Sequence, residues 1–111
     1  MNFLYFYTKF LTHLMERLTP AEELVMLKLW KLQNGAVKDI QELYLHPKPA
    51  YNTTSTIVRI LERKNFIKHQ PLGRGFIYSP NVSREKYREY LAGRLLHNYF
   101  DGDKEMLLNT I

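Results

Sequence analysis

The chain contains no cysteine. That excludes a disulfide framework, a thiolate metal site and a cysteine nucleophile, and with no sign of an oxidising compartment a cytoplasmic location is expected. Long apolar runs are also missing. The most hydrophobic stretch, Met1–Leu14, is interrupted by Lys9 and His13 and is too short to span a bilayer. It lacks the charged start and small-residue cleavage site of a signal peptide, so no membrane insertion is expected. Nor is there a phosphate loop, a zinc-protease helix, a nucleophile elbow or a dinucleotide fingerprint. The histidines, His13, His46, His69 and His97, are scattered without ligand-like spacing. The best paired carboxylates, Glu22 and Glu23, stand at a helix start, where acidic residues favour the helix dipole. No enzymatic activity, cofactor or metal is therefore expected.

What is present is a globular composition on a one-domain scale. The 111 residues are 45% hydrophobic and 24% charged, enough to build a core and inconsistent with disorder. The net charge of +5 is unevenly placed. Between His46 and Tyr78 lie Lys48, Arg59, Arg63, Lys64, Lys68 and Arg74 against the single Glu62, whereas the remainder holds ten basic and ten acidic residues. The whole excess thus falls in one stretch, as expected of a surface that meets a polyanion.

Residues 1–17 form an N-terminal extension. Phe3, Leu4, Tyr7, Phe10, Leu11 and Leu14 recur at helical spacing, which predicts an amphipathic helix covering apolar surface here or on a partner. The alternative is that translation begins at Met15, just before the apparent domain start. A helix then opens at Thr19 with Pro20 at its first position and Glu22 completing a capping box. Its apolar residues, including Leu24, Val25, Leu27, Leu29 and Trp30, spread over more than one stripe, which predicts contact from two sides, and Asn34 and Gly35 are expected to end it. A short helix follows over Ala36–Leu45, then the connector His46–Pro49, held extended by its two prolines.

Tyr51–Lys64 is the most informative segment. At 100° per residue, Thr54, Ile57, Val58 and Leu61 fall on one side and Asn52, Ser55, Thr56, Arg59 and Arg63 on the other. Short hydroxyl and amide groups bond base edges or phosphates, and arginine does both. An ordinary solvated face is the competing reading. Asn65 closes the helix, and the period then becomes alternating: FIKHQPLG and FIYS read as a hairpin with a Gly73-Arg74-Gly75 tip. Three helices and a basic hairpin in that order predict a winged helix-turn-helix, mainly α with a small β hairpin, over residues 18–80. Residues 81–111 are expected to form a helical dimerisation segment with Tyr87, Tyr90, Leu91, Leu95 and Tyr99 on its contact side; the alternative is that this side closes over the chain's own first helix.

From Leu18 the sequence resembles the penicillinase-repressor family of winged-helix transcriptional regulators. The resemblance is carried by LTPAEELVMLKLW, KPAYNTTSTIVRILERK, GRGFIYSPNVSREKY and NYFDGD. It implies a cytoplasmic repressor that binds a palindromic operator on double-stranded DNA as a homodimer, joined through its C-terminal helices. In several members a membrane metallopeptidase sensor triggers cleavage of that region. The resemblance extends DNA contact to Tyr51, Thr53, Thr56 and Arg59 and to Gly73 and Arg74 of the wing. Three departures stand out. Ile60 occupies a position where relatives often carry a second arginine, Asn65 replaces a glycine, and the resemblance implies a tail about a helix longer than the one here, with Thr110 after Asn109 where some relatives have a cleaved Asn-Phe bond. The copper-responsive route needs cysteines and is excluded. The expected mechanism places Asn52, Thr53, Ser55, Thr56 and Arg59 in the major groove and Lys48, Arg63, Lys64 and Arg74 on phosphates, which at about four phosphates per protomer predicts a logarithmic salt slope of roughly −7 for a dimer. A winged-helix protein-interaction module without specific DNA binding is the alternative.

Overall fold

The computed structural model describes residues 15–111; the helix expected over Met1–Leu14 and the question of the start at Met15 lie outside them. The chain divides into two compact units, Leu18–Arg84 and a second whose described part is Met15–Arg17 with Glu85–Ile111. In the first, helices α1 (Pro20–Leu32), α2 (Val37–Glu42) and α3 (Tyr51–Arg63) precede strands β1 (Ile67–Leu72) and β2 (Gly75–Pro80). This is the winged helix-turn-helix that the order of segments predicts.

Helix α1 starts as its sequence requires. The Glu22 amide donates to Thr19 Oγ1 (3.3 Å) and the Thr19 amide donates to Glu22 Oε1 (2.9 Å), so two amides that the first turn leaves without helical partners are satisfied. Its burial differs from expectation. Only one stripe, Glu22, Val25, Met26 and Leu29, is buried, while Leu24 and Leu27 are exposed, so the helix is covered from one side within this unit. Its end differs too. Gln33, not Asn34 or Gly35, takes the positive φ of 70°, and Gly35 has another task. Its amide donates to the Tyr78 carbonyl (2.9 Å) and its carbonyl accepts from the Tyr78 amide (2.8 Å), adding a one-residue third strand beside β2. A Cβ at Gly35 would sit 3.2 Å from Asp39 Cβ, so a larger residue would require the Asp39 side chain to shift by a few tenths of an ångström.

Helix α2 stops at Glu42, short of the expected Leu45, because only Val37 and Ile40 reach the core; Leu43 and Leu45 are exposed. Helix α3 buries Thr54, Val58 and Leu61 with Ile57 half-buried, the side predicted from the wheel. Burying side chains of the size of Val58 and Leu61 contributes roughly 1.5–3 kcal/mol each. Asn65 adopts φ 65° as expected, and the Phe66 amide then donates to the Leu61 carbonyl (2.9 Å), delivering Phe66 and Ile67 into the core.

Strands β1 and β2 pair antiparallel from Ile67 opposite Pro80 to Leu72 opposite Gly75. The turn is therefore the two residues Gly73 and Arg74, and only Gly73 has positive φ (59°), the pattern of a hairpin turn that needs glycine at its first central position. Residues after β2 remain attached to this unit. The Asn81 amide donates to the Phe66 carbonyl (2.8 Å) and Trp30 Nε1 donates to the Val82 carbonyl (2.9 Å).

The second unit contains α4 (Arg84–Tyr99) and α5 (Lys104–Thr110). Asp101 and Gly102, with φ 50° and 78°, separate them, and Asp103 caps α5 by accepting from the Met106 amide (3.1 Å). Among the described residues no helix is long and apolar enough to cross a membrane.

Candidate nucleic-acid interface

The side of α3 opposite the core carries Asn52, Thr53, Thr56, Arg59 and Arg63, all exposed, with Ser55 half-buried at its flank. Tyr51 begins the helix and is also exposed. The helix supports this face internally. Thr56 Oγ1 donates to the Asn52 carbonyl (2.8 Å), and the Arg59 guanidinium donates to Ser55 Oγ (3.4 Å), one turn earlier. Ile60 is half-buried at the border of the two faces, so it interrupts the cationic surface without leaving the helix exposed to water on its apolar side.

The cations divide into two groups that composition could not separate. Arg59, Arg63 and Arg74 are exposed, and none is paired with a carboxylate among the described residues. Lys64 and Lys48 are already engaged. Lys64 Nζ lies 2.9 Å from Oε2 of Glu22, a carboxylate that is itself buried at 4% exposure. Burial pushes the Glu22 carboxyl up, but the Thr19 amide and the Lys64 ammonium outweigh it and hold its pKa below the ordinary value. Lys64 thus ties the end of α3 to the start of α1. Lys48 Nζ lies 3.1 Å from Glu42 Oε2 and donates to the Glu42 carbonyl (3.4 Å), fastening the connector to the end of α2. Gln41, which the sequence did not single out, fixes the other end of the connector by donating from Nε2 to the Pro49 carbonyl (2.7 Å).

The wing stands beside α3. His69 Nδ1 on β1 contacts the Glu62 carboxylate of α3, and the His69 ring packs edge-on against Phe76 with centroids 4.9 Å apart. Between α3 and β2 runs a cleft of about 490 Å³, walled by Tyr51, Ser55 and Arg59 on one side and by Phe76, Ile77 and Tyr78 on the other. Tyr78 also escaped the sequence reading. The only available signal was its place in the FIYS strand, and nothing local says which helix a strand residue will face.

The residues expected at a dimer contact are also divided. Tyr87 and Tyr90 are 3% and 6% exposed in the single chain, with rings 5.7 Å apart, so neither offers surface to a second copy. Leu91 is half-buried, while Leu95 and Tyr99 are 43% and 73% exposed, and Met106 and Leu108 of α5 are exposed as well.

Comparison with known proteins identifies the family and the fold. The chain is 28% identical over 97 residues to the penicillinase repressor of Bacillus licheniformis, covering 86% of this chain and 76% of that protein. Its fold is similar to the solution structure of the monomeric form of BlaI from Bacillus licheniformis in complex with the blaP half-operator, at 24% identity and TM-score 0.55, covering 66% of this chain and 90% of that one. It is also similar to the crystal structure of the YusO protein from Bacillus subtilis, at 25% identity and TM-score 0.54, covering 84% and 69% of the two chains. The family model of the penicillinase repressors matches residues 18–111. With that match spanning the winged unit and both following helices, the chain belongs to the penicillinase-repressor family, whose members are transcriptional regulators and not enzymes.

Proposed function

We propose that this protein is a cytoplasmic DNA-binding repressor that reads a palindromic operator as a homodimer, with α3 in the major groove and the Arg74 wing on the adjacent backbone. The observation that carries the reading is the exposed α3 face of Asn52, Thr53, Thr56, Arg59 and Arg63, whose guanidinium groups have no carboxylate partner among the described residues. Amide and hydroxyl groups of this kind match base edges, and an unpaired guanidinium matches a phosphate or a guanine. The half-operator complex of BlaI, a protein of similar fold, supports operator DNA as the partner. Exposed Leu95 and Tyr99 on α4, with Met106 and Leu108 on α5, support a contact between two copies. A two-fold dimer then reads two half-sites whose spacing follows from protein geometry.

The ion pairs change the expected electrostatics. Lys48 and Lys64 are left out of the phosphate set because each already neutralises a carboxylate of the protein. Arg63 and Arg74 of that set remain, and counted with Arg59, the third guanidinium free of a carboxylate partner among the described residues, they give a dimer a logarithmic salt slope of about −5 at about 0.9 per neutralised phosphate. Gel-shift titration on DNA from upstream of the protein's own gene, repeated over a range of salt, tests this. A sequence-preferring complex with that slope is expected. Absence of any salt-sensitive complex would overturn the reading and favour the protein-interaction module.

A further inference from the structure

The cleft between α3 and β2 has an uneven chemistry. Every side-chain heteroatom on its walls can donate a hydrogen bond: the guanidinium of Arg59, the hydroxyl of Ser55 and the phenols of Tyr51 and Tyr78. No carboxylate lines it, and Glu62, the nearby one, is engaged by His69. The rest of the wall is apolar, chiefly Val37, Leu72 and Ile77. Such a surface suits an occupant that is anionic and rich in acceptors on one side and carbon-rich on the other, as a deoxyribose-phosphate chain is.

We propose that one sugar-phosphate strand of the bound duplex lies in this cleft, and that Tyr78 and Tyr51 donate phenolic hydrogen bonds to a phosphate whose charge is met by Arg59. The proposal rests on the DNA-binding reading above. It adds Tyr78 as a DNA-contacting residue and assigns Arg59 to the backbone instead of a base.

Tyr78 is held for such a task. Its backbone is paired on both sides, with Gly35 through bonds of 2.9 and 2.8 Å and with His69 across the hairpin. Its ring sits against those of His69 and Phe76, with centroids 6.1 and 6.5 Å away. The hydroxyl makes no hydrogen bond among the described residues, and the residue lines the cleft. Burial first, then the charges of Glu62 and Tyr51, push its pKa up against the opposing pull of Arg59, so it remains a neutral donor near pH 7. Arg59 is drawn along the α3 flank by Ser55, toward the cleft wall. Base reading is left to Asn52, Thr53 and Thr56.

The test is fluorescence anisotropy with the full chain, on a short duplex from upstream of its own gene and on the same duplex shuffled, across a salt series. Tyr78→Phe should weaken binding to both duplexes about tenfold, with the salt slope unchanged because a neutral donor displaces no counterion. Arg59→Gln should weaken both alike and reduce the slope by about 0.9 per bound protomer. Wild-type affinity in Tyr78→Phe, or an Arg59→Gln loss confined to the native sequence, overturns the proposal while leaving DNA binding intact. Failure of the wild type to bind either duplex overturns the DNA-binding reading itself. If thermal melting shows Tyr78→Phe to be unfolded, scanning single uncharged methylphosphonate links along each strand with the wild type and with Arg59→Gln replaces it. One link that weakens binding and abolishes the effect of Arg59→Gln is expected; no such link refutes the proposal.

Discussion

Replacing Lys64 with methionine should destabilise the winged unit and leave DNA binding almost unchanged. The Glu22 and Lys64 side chains are 6% and 27% exposed and their charged atoms are 2.9 Å apart. Removing one member of a fully buried pair costs about 3–5 kcal/mol, whereas an exposed pair is worth about 0–1 kcal/mol. Here Glu22 keeps the Thr19 amide as a partner and some water reaches Lys64, which places the cost at about 2 kcal/mol. For a unit of this size that lowers the melting midpoint by on the order of 10 °C. Glu22→Gln added to Lys64→Met should recover much of the loss, because no buried charge is left and the amide can still cap. The pH dependence has a definite sign. The folded pKa of Glu22 is depressed, so its ionisation stabilises the fold above its ordinary value of about 4.3, and that contribution is lost as pH falls through the lower folded value. The deficit of Lys64→Met should therefore shrink in acid. Urea unfolding followed by fluorescence of Trp30, the single tryptophan, at near-neutral pH and at about pH 3 compares the wild type, the single variant and the double variant. A single variant as stable as the wild type, or a double variant no better than the single, would refute the structural role. A shallower DNA salt slope in Lys64→Met would return Lys64 to the phosphates.

Thr54 Oγ1 is buried on α3 without a hydrogen-bond partner among the described residues, so Thr54→Val should raise stability by about 1 kcal/mol in the same assay. Gly73→Ala forces a side chain onto φ 59° and should cost about 1–2 kcal/mol in urea unfolding, with DNA affinity falling as the wing tip shifts. Arg74→Gln, at an exposed position, should leave the melting midpoint unchanged and reduce the salt slope by about 0.9 per protomer in gel-shift titration. Leu95→Glu combined with Tyr99→Glu should convert a dimer to a monomer in sedimentation and remove the dependence of the midpoint on protein concentration, whereas Tyr87→Ala should cost about 3–5 kcal/mol in stability by opening a cavity.

By itself the sequence determined the features that depend on near neighbours along the chain. The Thr19–Glu22 capping box, the two faces of Tyr51–Arg63, the left-handed Asn65 and the glycine turn before Arg74 all follow from residues within a few positions of one another, where backbone geometry leaves few alternatives. Only the tertiary structure decided which of these residues remain available. Lys64 meets Glu22 across 42 residues, Gly35 pairs with Tyr78 instead of ending its helix, and Tyr78 turns a strand position into one wall of a cleft. Likewise Leu24 and Leu27 are exposed although their helix is apolar on several sides, while Tyr87 and Tyr90 are buried although they looked suited to a partner. Periodicity reports which side chains share a face, but what covers that face, and which charge is already neutralised, depends on distant segments that meet only when the chain has folded.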